Sequence, residues 1–273
     1  MSTASSVQTP PFRSPLAPGA NEGRVALVTG GGTGIGRACA LELARTGAAT
    51  VICGRREEPL REAAADIESS GGRCLPIPTD VRAPEQVERM LDAALERFGH
   101  VDVLVNNAGG QFSAPAEQIS DRGWRAVHRL AVDAAWSLTR EVATRSMIPR
   151  RDGLVVFVGF SPLRGVPGFA HASAARAATA NLASSLALEW SRYRIRSVCV
   201  AVGTVLTEGL DQYGPDVVER WTRSVPLGRL GSPEEVAALI AYLATPAAQY
   251  ITGTTITIDG GADAWGSAEE PPQ

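Results

Sequence analysis

Thr29-Gly30-Gly31-Gly32-Thr33-Gly34-Ile35-Gly36 decides the fold of this 273-residue chain. Ahead of it, Val25-Ala26-Leu27-Val28 is a short, wholly apolar strand, and behind it a helix is predicted over 34–45. Glycines at that junction permit a tight turn and bring backbone close to a pyrophosphate. The helix start adds free N–H groups and a partial positive charge. Strand, loop and helix together predict a dinucleotide site, with Gly30, Thr33, Gly34, Ile35 and Gly36 in its phosphate-binding turn.

Working outward, apolar runs alternate with helical stretches. Strands are predicted at 50–53, 74–77, 101–105, 154–158, 195–200 and 254–258, with helices over 56–69, 84–97, 122–147 and 172–191. Ser232-Pro233-Glu234-Glu235 is a capping box that opens a helix to about 244. This alternation predicts one α/β domain, a Rossmann-type doubly wound fold with a seven-stranded, mostly parallel sheet covered by helices on both faces. Such sheets bind ligands at the carboxyl ends of the strands, where strand order reverses. Residues 1–22, with Pro10, Pro11, Pro15 and Pro18, and residues 264–273 are read as disordered tails around a domain at 23–263.

Composition excludes several classes. Net charge is −3 and no basic run exceeds two residues, so nucleic acid is not the expected partner. No apolar run reaches membrane-spanning length. The four cysteines have no metal-ligand spacing, so no metal site is expected and reduced thiols in a cytoplasmic protein are. The chain has no lysine; all 26 Lys+Arg residues are arginine. After the second strand comes Gly54-Arg55, where an enzyme using NAD would carry an acidic residue for the ribose hydroxyls. A guanidinium at Arg55 suits a 2′-phosphate, which predicts NADP(H).

Further motifs follow in order: Asp80-Val81, Asn106-Asn107-Ala108-Gly109, Ile251-Thr252-Gly253 and Asp259-Gly260-Gly261. With the glycine loop they resemble the short-chain dehydrogenases/reductases over about 23–261. The resemblance implies that Asp80 and Val81 face the adenine, that Asn107, Ala108 and Gly109 lie along the cofactor, and that Val205 and Thr207 sit near the nicotinamide. It also implies a homotetramer through the long helices and the last strand. The family's catalytic Asn, Ser, Tyr and Lys align with Ala131, Gly159, His171 and Ala175. Gly109-Gly110-Gln111-Phe112, Gly123-Trp124 and His171-x-x-Ala174-Ala175-Arg176 with Leu186-Ala187-Leu188-Glu189-Trp190 are similar to the peroxisomal trans-2-enoyl-CoA reductase and dienoyl-CoA reductase branch.

Reducing a carbonyl demands a strong proton donor on the oxygen. Reducing the C=C bond of an acyl thioester leaves the charge on an enolate oxygen, which oxyanion donors and a modest acid can serve. His171 is the first candidate donor, because imidazole titrates near neutrality. Ser161 and Tyr213 are the others, Tyr213 within a stretch expected to form part of a lid. Arg176 lies about 100° around the helix from position 175 and is not counted as a substitute for the lysine. Three functions stay open: enoyl-thioester reduction, carbonyl or alcohol chemistry with atypical donors, and cofactor binding without catalysis.

Overall fold

The computed structural model describes residues 12–161 and 165–266. Seven strands form one sheet: β1 Val25–Thr29, β2 Ala49–Gly54, β3 Arg73–Pro78, β4 Val103–Asn106, β5 Gly153–Phe160, β6 Ile195–Val202 and β7 Thr255–Ile258. Their order is β3-β2-β1-β4-β5-β6-β7. The sheet expected to be mostly parallel is parallel at every pairing. The cause is visible in β1 and β4, buried at every position. Strands covered on both faces need helical crossovers, and those return each strand in the same direction.

The helices are α1 Gly34–Arg45, α2 Glu57–Ser69, α3 Pro84–Phe98, α4 (121–150), α5 Ala170–Trp190, α6 Pro215–Ser224, α7 Pro233–Ala244 and the short α8 Ala262–Trp265. Pro84 opens α3, and Gly99 ends it in the left-handed conformation (φ 82°). The capping box at Ser232 is formed in full, with Ser232 and Glu235 each accepting from the other's backbone N–H. α4 is one continuous helix, but it widens into π turns over Arg129–Ala134 and Ala143–Met147. Helix α6 was not foreseen: the stretch read as part of a lid is a 3-10 turn, Glu208–Tyr213, followed by this helix.

The tails need correction. Residues 1–11 and 267–273 lie outside the described residues. The remainder of the first tail is docked: Arg45 donates to the Leu16 carbonyl (2.9 Å), and buried Asn21 donates to Thr46 Oγ1 (2.9 Å) and the Ala241 carbonyl (3.0 Å). It straps α1 to α7. In the second tail, Ala264 and Trp265 belong to α8.

Order reverses between β1 and β4, which place Thr29 and Asn106 at their ends. Thr29 Oγ1 accepts from the Asn107 and Ala108 N–H groups (3.0 and 2.9 Å), and Asn107 Nδ2 donates to the Thr29 carbonyl (2.8 Å). These bonds lock the two loops that line the crevice.

Candidate active site

A cavity of about 1560 Å³ opens at this crevice. Gly30, Thr33, Gly34, Ile35, Arg55, Asp80, Val81, Asn107, Ala108, Gly109, Val205 and Thr207 all line it, as do Ser161 and Tyr213. Two sequence candidates do not line it, Gly36 and His171.

Gly36 acts one layer behind the surface. A Cβ there would stand 2.2 Å from the Gly30 carbonyl oxygen and 2.5 Å from Asn107 Nδ2. The residue lets α1 press against the loop, which sets the helix start beneath the cavity. Asp80 is clamped by Arg82, whose Nε and Nη2 reach its carboxylate at 2.9 and 2.6 Å. That pairing, with smaller help from Arg55, holds the Asp80 carboxyl down to about 2. Asp80 is therefore a constant anion, and Arg55 is exposed on the cavity rim beyond it.

His171 is fully buried, and neither ring nitrogen has a partner. Phe112 covers it, the ring centroids 4.2 Å apart. Burial lowers its pKa, and His128 adds to the shift, so the imidazole is neutral and shut away. Ser161 is on the wall, but its hydroxyl donates to Asp259 Oδ2 and has no proton left for another acceptor. Tyr213 differs. Burial raises its pKa, Gln111 bonds its oxygen, and the side chain is on the cavity wall. Around it stand Phe169 and Trp221, ring centroids at 6.1 and 5.0 Å, with Phe160 beyond Phe169.

Of the positions aligned with the family's polar tetrad, Ala131 and Ala175 are packed in hydrocarbon. Ala131, in the first π turn of α4, shares a buried cluster with Val127, Phe169, Ala172 and Ala175. At position 159 a Cβ would stand 2.5 Å from Cys199 Sγ, so the thiol of β6 takes the space a serine would need. Burial pushes that thiol up to about 11.

Helical phase corrects the reading of α5. Phe169 and Arg176, two turns apart, both line the cavity, whereas His171 and Ala175 are turned into the interior. The face toward the cavity is one residue out of register with the alignment, and Arg176 is on it. Its Nη1 donates to the Val158 carbonyl (2.8 Å), and its Nη2 lies 2.1 Å from where a Cβ on Gly109 would be. Only the direction of side chains on α5 could have revealed this, and periodicity over a run of alanines carries no such signal.

A family model described as Enoyl-(Acyl carrier protein) reductase matches residues 30–263. The chain belongs to that family, within the short-chain dehydrogenases/reductases. It is 35% identical over 245 residues to a probable 2,4-dienoyl-CoA reductase of Bacillus subtilis, covering 88% of this chain and 96% of that one. A peroxisomal 2,4-dienoyl-CoA reductase of Danio rerio is 35% identical over 243 residues, covering 88% and 81%. Among solved structures, a citronellol catabolism dehydrogenase of Pseudomonas aeruginosa superposes with a TM-score of 0.82 at 36% identity, covering 92% of this chain and all of that one. This short-chain reductase is thus an oxidoreductase of enoyl-CoA-reductase type, from a family that binds nicotinamide cofactors. No helix among its described residues is long and apolar enough to cross a membrane.

Proposed function

We propose that the chain is an NADP(H)-dependent reductase of the C=C bond of a 2-enoyl thioester, acting in the cytoplasm as a homotetramer. The observation that carries the reaction is Tyr213: a phenol on the cavity wall, set among aromatic rings that line the same cavity. A nicotinamide cofactor, when bound, supplies the hydride taken by the β-carbon of the substrate. The glycine loop and Arg55 would hold its adenine half. Phe160, Phe169 and Trp221 would enclose the acyl chain and exclude water, which strengthens hydrogen bonds inside. Negative charge then gathers on the thioester oxygen, where Tyr213 donates. The α-carbon takes its proton from solvent. A phenol is protonated at neutral pH and burial raises the Tyr213 pKa further, so the donor is present throughout the working range.

NADPH oxidation measured with crotonyl-, octenoyl- and dodecenoyl-CoA and a 2,4-dienoyl-CoA, beside a panel of ketones, tests the reaction. Turnover of the thioesters alone is expected. Turnover of ketones alone would overturn the assignment. Silence with every substrate would favour a cofactor-binding role without catalysis, the reading supported by the hydrocarbon packing at Ala131 and by the Cys199 thiol in the space beside Gly159.

Cofactor choice follows Arg55. NADPH should bind at least about tenfold more tightly than NADH, since a charge-assisted hydrogen bond contributes ~1.5–3 kcal/mol. Arg55→Asp should narrow or reverse that preference. Equal affinities in a fluorescence titration would rule out NADP(H) selection by this residue. Assembly is supported by Trp136 on α4, Leu188 on α5 and Tyr250 ahead of β7, all exposed. Light scattering at micromolar concentration should give four chains; a monomer would remove the claim.

A further inference from the structure

We infer that Trp221 is the end wall of the acyl-binding lobe and sets the length of hydrocarbon chain that the protein accepts. This rests on the thioester part of the proposed function and adds to it which chains fit.

The lobe is apolar and separate from the two cores that hold the sheet. Phe160, Val166, Phe169, Tyr213 and Trp221 all line the cavity, and all belong to the small cluster built around Val127, Ala131, Ala172 and Ala175. Ala131 and Ala175, at the positions of the family's Asn and Lys, bring methyl groups to that cluster and no polar atoms. A surface of this kind binds by taking methylenes out of water.

The rings form a row with a direction. It starts at Phe160, the last residue of β5, beside the cofactor crevice. Ring centroids then follow at 6.3 Å to Phe169, 6.1 Å to Tyr213 and 5.0 Å to Trp221, with the planes of each pair at 65° or 66°. Edge-to-face contact is a preferred geometry of aromatic pairs and gives the indole a set orientation. Among the described residues no further ring follows Trp221, so the row ends there.

Helix α6 carries this last ring. Val217, Arg220, Trp221 and Ser224, at helical spacing, present one face of it to the cavity, while Asp216, Glu219 and Arg223 are exposed. None of its residues is buried. An amphipathic helix whose apolar face has no core to cover gains packing from whatever fills the cavity. On that face Trp221 is the one bulky ring. Arg220 beside it is exposed and marks the rim, where hydrocarbon gives way to charge and water.

Two regimes follow. Each methylene buried in the lobe raises affinity about fourfold. Once a chain reaches the indole, a further methylene must displace it or turn out past Arg220, and affinity stops rising.

The test measures binding, so it stands apart from the reaction. Saturated acyl-CoA thioesters from butanoyl to dodecanoyl are titrated calorimetrically into the protein loaded with NADPH; having no C=C bond, they bind without turning over. Wild-type affinity should climb and then level off before dodecanoyl. Trp221→Ala should raise the ratio of dodecanoyl to butanoyl affinity about tenfold or more, since the space of the indole then takes further methylenes. Trp221→Phe, with a smaller ring, should give an intermediate ratio. NADPH affinity within about twofold of wild type shows that each variant is folded. An unchanged ratio overturns the inference. So does a lowered one, which would make Trp221 a side wall that the chain lies along, or a wild-type affinity that climbs without a break to dodecanoyl. If the wild-type chain binds no acyl-CoA of any length, the thioester reading fails, and the same ratio from 2-butanone and 2-dodecanone with NADP+ bound decides whether Trp221 bounds the lobe. A wild-type protein that binds the series as expected yet reduces no enoyl thioester sinks the proposed reaction and leaves this inference standing.

Discussion

Gly36→Ala should weaken cofactor binding by about 100-fold or more. One methyl group is added, but it would stand 2.2 Å from the Gly30 carbonyl oxygen, 2.5 Å from Asn107 Nδ2 and 2.7 Å from the Gly30 carbonyl carbon. Two of these three atoms are backbone, so rotation of a flexible side chain gives no relief. Either α1 lifts away from the loop or the loop leaves its place at the end of β1. Overpacking of this kind costs up to ~3 kcal/mol. The helix start would then no longer aim its free N–H groups into the cavity. The dissociation constant for NADPH, read by fluorescence titration, should rise by about 100-fold or more, together with a lower melting temperature. Binding within threefold of wild type would show that Gly36 does not set the loop. The effect is expected although Gly36 never touches the cavity, which separates it from a direct contact such as Arg55.

Tyr213→Phe should lower turnover of an enoyl thioester by about 10²-fold or more, the range for a positioned proton donor. Affinity for NADPH should stay within about twofold, because the glycine loop and Arg55 are untouched. His171→Ala makes the sharper contrast. The imidazole lies under Phe112 with neither nitrogen partnered, so its loss should change turnover by no more than about threefold. A pH profile adds a sign. Burial raises the Tyr213 pKa above that of a free phenol, so the donor keeps its proton as pH rises through neutrality and fails only on the far alkaline side. If Tyr213→Phe retains full turnover while His171→Ala loses it, then Phe112 must swing aside during the reaction and the histidine is the donor. Stopped-flow and steady-state rates on both variants with one enoyl-CoA distinguish the two.

Much of the architecture was legible in order along the chain. The run Val25–Val28 before the glycines, the capping box at Ser232 and the proline at the start of α3 each specify local backbone through short-range chemistry. α6 escaped because Pro215–Ser224 buries none of its residues, so its apolar positions are few. The strap at 14–22 escaped because its order comes from bonds to Thr46 and Ala241, distant in sequence. The residues that line the crevice were readable for the same local reason as the strands: Gly30, Thr33, Gly34, Ile35, Asn107 and Arg55 lie where a strand ends, and a strand's end is visible in its hydrophobic pattern.

What the sequence determined by itself was the class of fold, the cofactor crevice and the absence of any lysine, because these depend on periodicity, turn chemistry and composition. Tertiary structure alone decided which side chains meet in the cavity. His171 and Arg176 stand on one helix, five residues apart, and no pattern within α5 tells which of them faces the cavity. The answer came from packing: Phe112 closes over His171, Cys199 takes the space at Gly159, and the bare backbone of Gly109 admits the guanidinium of Arg176. Each is a contact between elements far apart in the chain. A register shift of one residue on a helix turns a side chain by about 100°, enough to turn it from the cavity into the interior.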